Sequence, residues 1–249
     1  MAVLNIVKKK LRGVLKRFGL MDDFDWSNYN EQEYARQINN LEKEHTFVIP
    51  EGKFKMEAGK IILNSDLLPL HENHKLLYET IYGLNPASVL EVGCGGGDHL
   101  ANIKKILPAV QLQGSDLLQT QLDFLGQRHP ELKNMASLFL QDLTSADYKI
   151  VEADAVYTQA VLMHIRRPTY YRQALKNIFS SAKNWVVLME HWGRRDYVKD
   201  IKKLSEERSF PWQKIYFYKN GGGRHNLLIV SKLSLSQFPK IENNKELIA

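Results

Sequence analysis

The sequence has a single cysteine, Cys94, in 249 residues. That excludes an intrachain disulfide and a cysteine-based zinc cluster, and it fits a reducing compartment. No uninterrupted apolar run approaches the roughly 20 residues of a membrane span. Residues 1–20 contain no acid and no small-residue cleavage site, and their apolar positions are interrupted, which argues against a secretory leader. With 15 Gly, 8 Pro and 25% charged residues, collagen, coiled coil and long disorder are excluded as global readings.

The positive charge is confined. Lysine and arginine number 34 against 28 acids, and six of the cations (Lys8, Lys9, Lys10, Arg12, Lys16, Arg17) lie in residues 1–20. Without them the balance is 28 to 28, so the rest of the chain is neutral and no basic face for nucleic acid is expected on it. In the arm, Leu4, Val7, Leu11, Val14, Leu15 and Phe18 recur at helical steps with the cations mostly opposite. Such a helix suits an anionic membrane surface or a partner, for example a glycosyltransferase.

Residues 21–84 read as a lid or substrate region. Tyr34, Ile38 and Leu41 recur as in a helix, residues 46–63 alternate around Pro50–Gly52 as in a hairpin, and residues 66–83 form a helix ended at Gly83. The lid aromatics Phe24, Trp26, Tyr29 and Tyr34 are candidates for stacking on sugar rings.

Beyond Pro86, strands and helices alternate. Strands are expected at Ser88–Val92, Gln111–Ser115, Ala136–Leu140, Ala153–Thr158 and Trp185–Met189. Helices are expected at Asp98–Ile106, Gln119–Gln127, Pro168–Ser180 and Tyr197–Glu207. This order predicts an α/β fold with a parallel sheet covered on both faces. Lys214–Tyr218 and Asn226–Lys232 read as an antiparallel hairpin closing one edge, and residues 236–249 are a patternless tail. The main domain spans residues 85–235.

The segment Val89–Asp98 (VLEVGCGGGD) is an apolar strand, an acid, a glycine loop and a helix start. Glycines let the chain turn sharply and a ligand approach closely. The acid Glu91 disfavours a phosphate ligand. Asp116 follows Gly93 by 23 residues, near the offset of about 20 at which an acid reaches a ribose hydroxyl. A dinucleotide-binding loop would place its third glycine where Asp98 stands.

With these residues the chain resembles the class I S-adenosylmethionine-dependent methyltransferases. Glu91–Gly97 is similar to their first motif, with Gly93 and Gly95 in the loop, and Asp116 with Leu117 to the end of their second strand. Gln141–Asp142–Leu143 resembles the segment that flanks the adenine, and Asp154–Ile165, which includes Gln159, the fourth strand and the loop near the methionine part. The resemblance implies a Rossmann-like seven-stranded, mostly parallel sheet with an antiparallel last strand and an N-terminal helical lid. It also implies S-adenosyl-L-methionine as cofactor and S-adenosyl-L-homocysteine as product.

Methylation of oxygen also calls for a base. His164, on the loop after the fourth strand, is the first candidate by that resemblance; bracing the loop is its other reading. Glu190 and His191 end the fifth strand, where ligands bind in open sheets, but neighbours on a strand point to opposite faces. Arg194, Arg195 and Tyr197 follow at the same end and would suit an acidic acceptor. His71 and His74 share a helix face without a third metal ligand, so no metal is expected, and capping or substrate contact is. His225 reads as part of a solvated turn.

The whole resembles the sugar O-methyltransferases of bacterial surface-polysaccharide assembly, with a terminal acidic sugar such as Kdo as one acceptor. The expected location is the cytoplasm, peripheral at the inner face of the membrane. Two alternatives stand beside it: an O-methyltransferase of a small lipophilic metabolite, and an inactive cofactor-binding scaffold for a glycosyltransferase complex.

Overall fold

The computed structural model describes residues 48–67 and 69–248. The arm over residues 1–20, the helical pattern around Tyr34 and the four lid aromatics lie outside the described residues.

A two-stranded hairpin comes first, β1 (Phe54–Glu57) and β2 (Lys60–Leu63). It turns at Ala58–Gly59, not at Pro50–Gly52. Both turn residues have positive φ (48° and 77°), the backbone a two-residue hairpin needs. Pro50 instead opens a separate turn, its carbonyl accepting from Lys53 N. Helix α1 runs from Glu72 to Leu84, starting later than its pattern suggested. Pro69 disfavours helical backbone just before it, and His71 caps the helix by accepting from Asn73 N. It ends on left-handed Asn85, whose N–H donates to the carbonyls of Ile81 and Tyr82, so Gly83 lies inside the helix.

The main unit alternates as expected: β3 (Ser88–Val92), α2 (Asp98–Ile106), β4 (Gln111–Asp116), α3 (Gln119–Arg128), α4 (Leu132–Met135) and β5 (Ala136–Leu140). Then come β6 (Ala153–Gln159), α5 (Pro168–Ser181), β7 (Ala182–Met189), α6 (Tyr197–Glu206), β8 (Tyr216–Gly222) and β9 (His225–Ser231). They build a seven-stranded sheet in the order β5-β4-β3-β6-β7-β9-β8. Only β9 runs against the direction of the other six strands; it sits between β7 and β8, and the β8–β9 hairpin closes that edge as expected.

Strand alternation sends successive side chains to two cores. Val89, Leu112, Tyr157 and Val187 pack under α1, α2 and α3, while Leu90, Val92, Val156 and Leu188 pack under α5 and α6. Residues 236–248 also have a definite place. Lys219 N donates to Pro239 O and Ile241 N to Phe217 O, so the segment covers the outer edge of β8. Ile241 and Leu247 are buried, and a capping box between Asn243 and Glu246 fixes the last turn. Among the described residues no helix is long and apolar enough to cross a membrane.

Candidate active site

The parallel strands β3, β4 and β6 end on one side of the sheet, and the loops that follow build the site. After Val92 the chain turns at Gly93 (φ 77°), and Gly93 N and Cys94 N both donate to Ser115 O at the end of β4 (2.7 and 3.0 Å). A Cβ at Gly93 would lie 2.5 Å from the Val161 side chain of the loop after β6. Glycine is therefore required twice here, by conformation and by close approach. Cys94 is buried and its thiol is pushed well up by burial, which fits an inert spacer.

Asp116 ends β4 against this loop. Its carboxylate accepts Gly95 N and Leu118 N, both at 3.0 Å. Burial raises its pKa against those amides. Leu117 beside it is half exposed and apolar. Glu91 is fully buried and accepts the Tyr157 hydroxyl (2.8 Å). Burial pushes its carboxyl well up, Tyr157 opposes this, and Asp116 and Asp98 add to it. Asp98 differs: burial works against its charge, but His129 and Arg128, at 2.6 Å each, hold it below the usual range. Burial raises both carboxyls at the ends of β3 and β4, so a ligand that brings positive charge or hydroxyl donors would favour their charged forms and a phosphate would not.

Gln141 N donates to Asp116 O, which sets the segment after β5 beside Asp116. Asp142 turns its carboxylate to Thr144 N and Oγ1 (2.8 Å each), closing an Asx turn. The Leu143 side chain belongs to the core under α5, and its carbonyl accepts Asn177 Nδ2. Asp142 and Leu143, expected as ligand contacts, thus have side-chain partners within the protein itself.

The loop after β6 carries His164 in a single 3-10 turn, Leu162–His164. Glu190 holds that turn. Its carboxylate accepts Thr158 Oγ1 and the backbone amides of Val161, Leu162 and Met163 at 2.9–3.1 Å. Burial raises the Glu190 pKa against these donors. Glu190 therefore clamps the loop, and His191 next to it is exposed and unpaired with it. His164 is half buried, and burial together with Arg194 and Arg166 holds its pKa below the ordinary value.

Both arginines expected on the acceptor bind protein carbonyls of the same loop. Arg194 donates to Met163 O (3.0 Å), and Arg195 to Ile165 O (2.5 Å) while stacking on Tyr171 at 3.8 Å. Tyr197 is fully buried against Trp192 and Tyr171 and cannot touch an acceptor. All three residues thus have partners inside the protein: sequence shows which residues follow β7, but not that the preceding loop offers them carbonyls and a core pocket.

Where α1 meets α2 and β6, the structure gathers more polar side chains than the sequence suggested. The rings of His71, His74, His99 and His225 follow one another, with centroids 5.1 Å apart for His71–His74, 4.8 Å for His74–His99 and 5.8 Å for His71–His225. His99 Nδ1 meets Tyr78 Oη (2.8 Å), and His99 also bonds Gln159 at the end of β6. His71 is the cap its position suggested, and His74 is buried against His99. His99 escaped the sequence reading although it lies in the first turn of α2, directly after the glycine loop. The i, i+4 spacing of His74 and Tyr78 was the available signal. Among the described residues no group of His, Cys, Asp and Glu could hold a metal ion.

Residues 89–184 match the family model described as a methyltransferase domain. No curated protein matches the chain. Solved structures share its fold at low identity. The methyltransferase domain of bacterial CtHen1 is 14% identical, with a TM-score of 0.50, covering 64% of this chain and 97% of that one. Magnesium protoporphyrin IX methyltransferase from Synechocystis, with bound S-adenosylmethionine, is 17% identical (TM-score 0.46; 64% and 79% covered). An O-methyltransferase family protein from Burkholderia thailandensis is 16% identical (TM-score 0.46; 64% and 57% covered).

Proposed function

With residues 89–184 forming a methyltransferase domain, we propose that the chain transfers a methyl group from S-adenosylmethionine to a hydroxyl oxygen. One observation carries the oxygen acceptor: a half-buried His164 kept neutral by burial and two arginines, on a turn fixed by Glu190, at the strand ends where the donor would lie. Bound S-adenosylmethionine supplies a methyl group already activated on a sulfonium. The chain contributes position and a base. Asp116 would accept the ribose hydroxyls, Leu117 would pack against the adenine, and the glycine loop would let the donor approach the backbone. Gly95 supports this: a Cβ there would meet nothing closer than 3.8 Å, so its surroundings are open. Glu91 would face the cationic end of the donor. His164 would take the hydroxyl proton as the acceptor oxygen receives the methyl group, with S-adenosylhomocysteine as the leaving product.

The acceptor is taken to be a sugar hydroxyl of a bacterial surface glycan. Its support is in the sequence: the basic amphipathic arm and the aromatics of the lid. A terminal acidic sugar loses its support, because Arg194 and Arg195 are bonded to loop carbonyls. The test is methyl-labelled S-adenosylmethionine incubated with the protein and a fractionated cell extract. Label in the glycan or glycolipid fraction is expected. Label in quinones or other small lipophilic molecules would replace the sugar reading, and no label in any fraction would revive the scaffold.

A further inference from the structure

The tip of the β8–β9 hairpin is built onto α1. β8 runs parallel to β7, so its end at Gly222 and the turn before His225 lie on the same side of the sheet as the glycine loop and the His164 turn. Asn220 Nδ2 donates to Thr80 Oγ1 of α1 at 2.8 Å. A Cβ at Gly221 (φ 106°) would collide with His225 O and with the Leu76 side chain of α1. Asn226 Nδ2 donates to Gly223 O at 2.9 Å and closes the turn.

Asn73, in the first turn of α1, sorts the two outer histidines. Its backbone N–H can only donate, and it donates to His71 Nδ1 at 3.2 Å. His71 Nδ1 therefore holds the lone pair, and the ring proton sits on Nε2. The side-chain oxygen of Asn73 can only accept, and it meets His225 Nδ1 at 2.8 Å. His225 Nδ1 therefore carries a proton, and in the neutral ring the lone pair is left on Nε2. The rings are 5.8 Å apart and nearly perpendicular (81°). Both turn Nδ1 onto Asn73, so both turn Nε2 away from it, one as a donor and one as an acceptor. Both residues are partly exposed, and among the described residues no hydrogen bond engages either Nε2.

We infer that His71 and His225 form an acceptor subsite for a hydroxyl group, with His71 Nε2 donating to its oxygen and His225 Nε2 accepting its proton. A hydroxyl both accepts and donates, so it can use both rings at once. A carboxylate or a phosphate could use only the first, and an ammonium only the second. The place fits as well. From His71 the rings continue through His74 to His99, in the first turn of α2 directly after the glycine loop, so the pair stands at the flank of the proposed donor site. A sugar has hydroxyls to spare, one held here while another meets His164. The inference deepens the sugar reading proposed above and rests on it. Asn73 acts through the two rings and is a positioning residue.

The test uses the full chain labelled with 15N-histidine, with S-adenosylhomocysteine present, at about pH 8, where an ordinary imidazole is neutral. NMR is expected to show opposite tautomers, the proton on Nε2 in His71 and on Nδ1 in His225. The probes are the methyl glycosides of glucose, galactose and mannose, with inorganic phosphate for comparison. At least one glycoside is expected to shift the Nε2 signals of both rings, and phosphate neither. His71→Asn and His225→Asn each keep an atom for the bond to Asn73 and remove Nε2. Each should melt as the unmodified protein does, bind S-adenosylhomocysteine equally well and bind that glycoside about fivefold more weakly, the worth of one hydrogen bond. The same tautomer in both rings, a response to phosphate alone, no response to any glycoside, or unchanged glycoside affinity in both variants would overturn the subsite. The methyl-label assay judges the sugar reading separately. Label in the glycan fraction with no glycoside response at the rings would remove the subsite and leave that reading standing.

Discussion

His164 and Asp116 divide the work at the scale of single residues. His164 must be neutral to take a proton, and burial with Arg194 and Arg166 lowers its pKa. Its basic form therefore persists to lower pH than an ordinary imidazole near 6.5 would allow. The profile of kcat/KM should rise through a pKa below that value and stay flat above it; a rise centred above it would contradict the assignment. His164→Ala should reduce turnover by roughly 100-fold or more while leaving donor affinity unchanged in calorimetry. Asp116→Ala should act on the other quantity, weakening S-adenosylhomocysteine binding by at least about tenfold, because hydrogen bonds to a charged group are lost. The same change also removes the acceptor for Gly95 N and loosens the glycine loop.

At the scale of elements, the turn after β6 depends on one side chain beyond it. Glu190, just past β7, collects a hydroxyl and three backbone amides. In Glu190→Gln, an NH2 group replaces one acceptor oxygen and faces a donor. The cost of an unsatisfied buried group is about 1–3 kcal/mol. The variant should melt at lower temperature and lose turnover together, since the turn that carries His164 is no longer held. Normal melting with lost turnover would indicate a direct chemical role for Glu190.

The whole molecule is closed at the β8 edge by its C-terminal segment. Removing residues 236–249 would uncover that edge and the apolar surface under Ile241 and Leu247. An open strand edge invites pairing between chains. The shortened protein should show a lower melting temperature and concentration-dependent association in light scattering. At the other end, a surface-binding arm predicts that deleting residues 1–20 abolishes sedimentation with anionic vesicles. Unchanged sedimentation would assign the arm another role.

The sequence by itself determined the order of elements, the glycine loop and the acid on the neighbouring strand. These are local: hydrophobic runs, turn glycines and a fixed spacing need no distant partner to be recognised. The tertiary structure alone decided what each charged or polar side chain faces. Arg194 and Arg195 look free beside β7 until the loop after β6 supplies carbonyls; Glu190 looks catalytic until three amides converge on it. Tyr197 looks exposed at a helix start until Trp192 and Tyr171 close over it. His99 and Tyr78 stand 21 positions apart and meet only because α1 packs on α2. A buried polar group must find its partner wherever the fold brings one, and that partner's position along the chain follows no period a sequence pattern can carry.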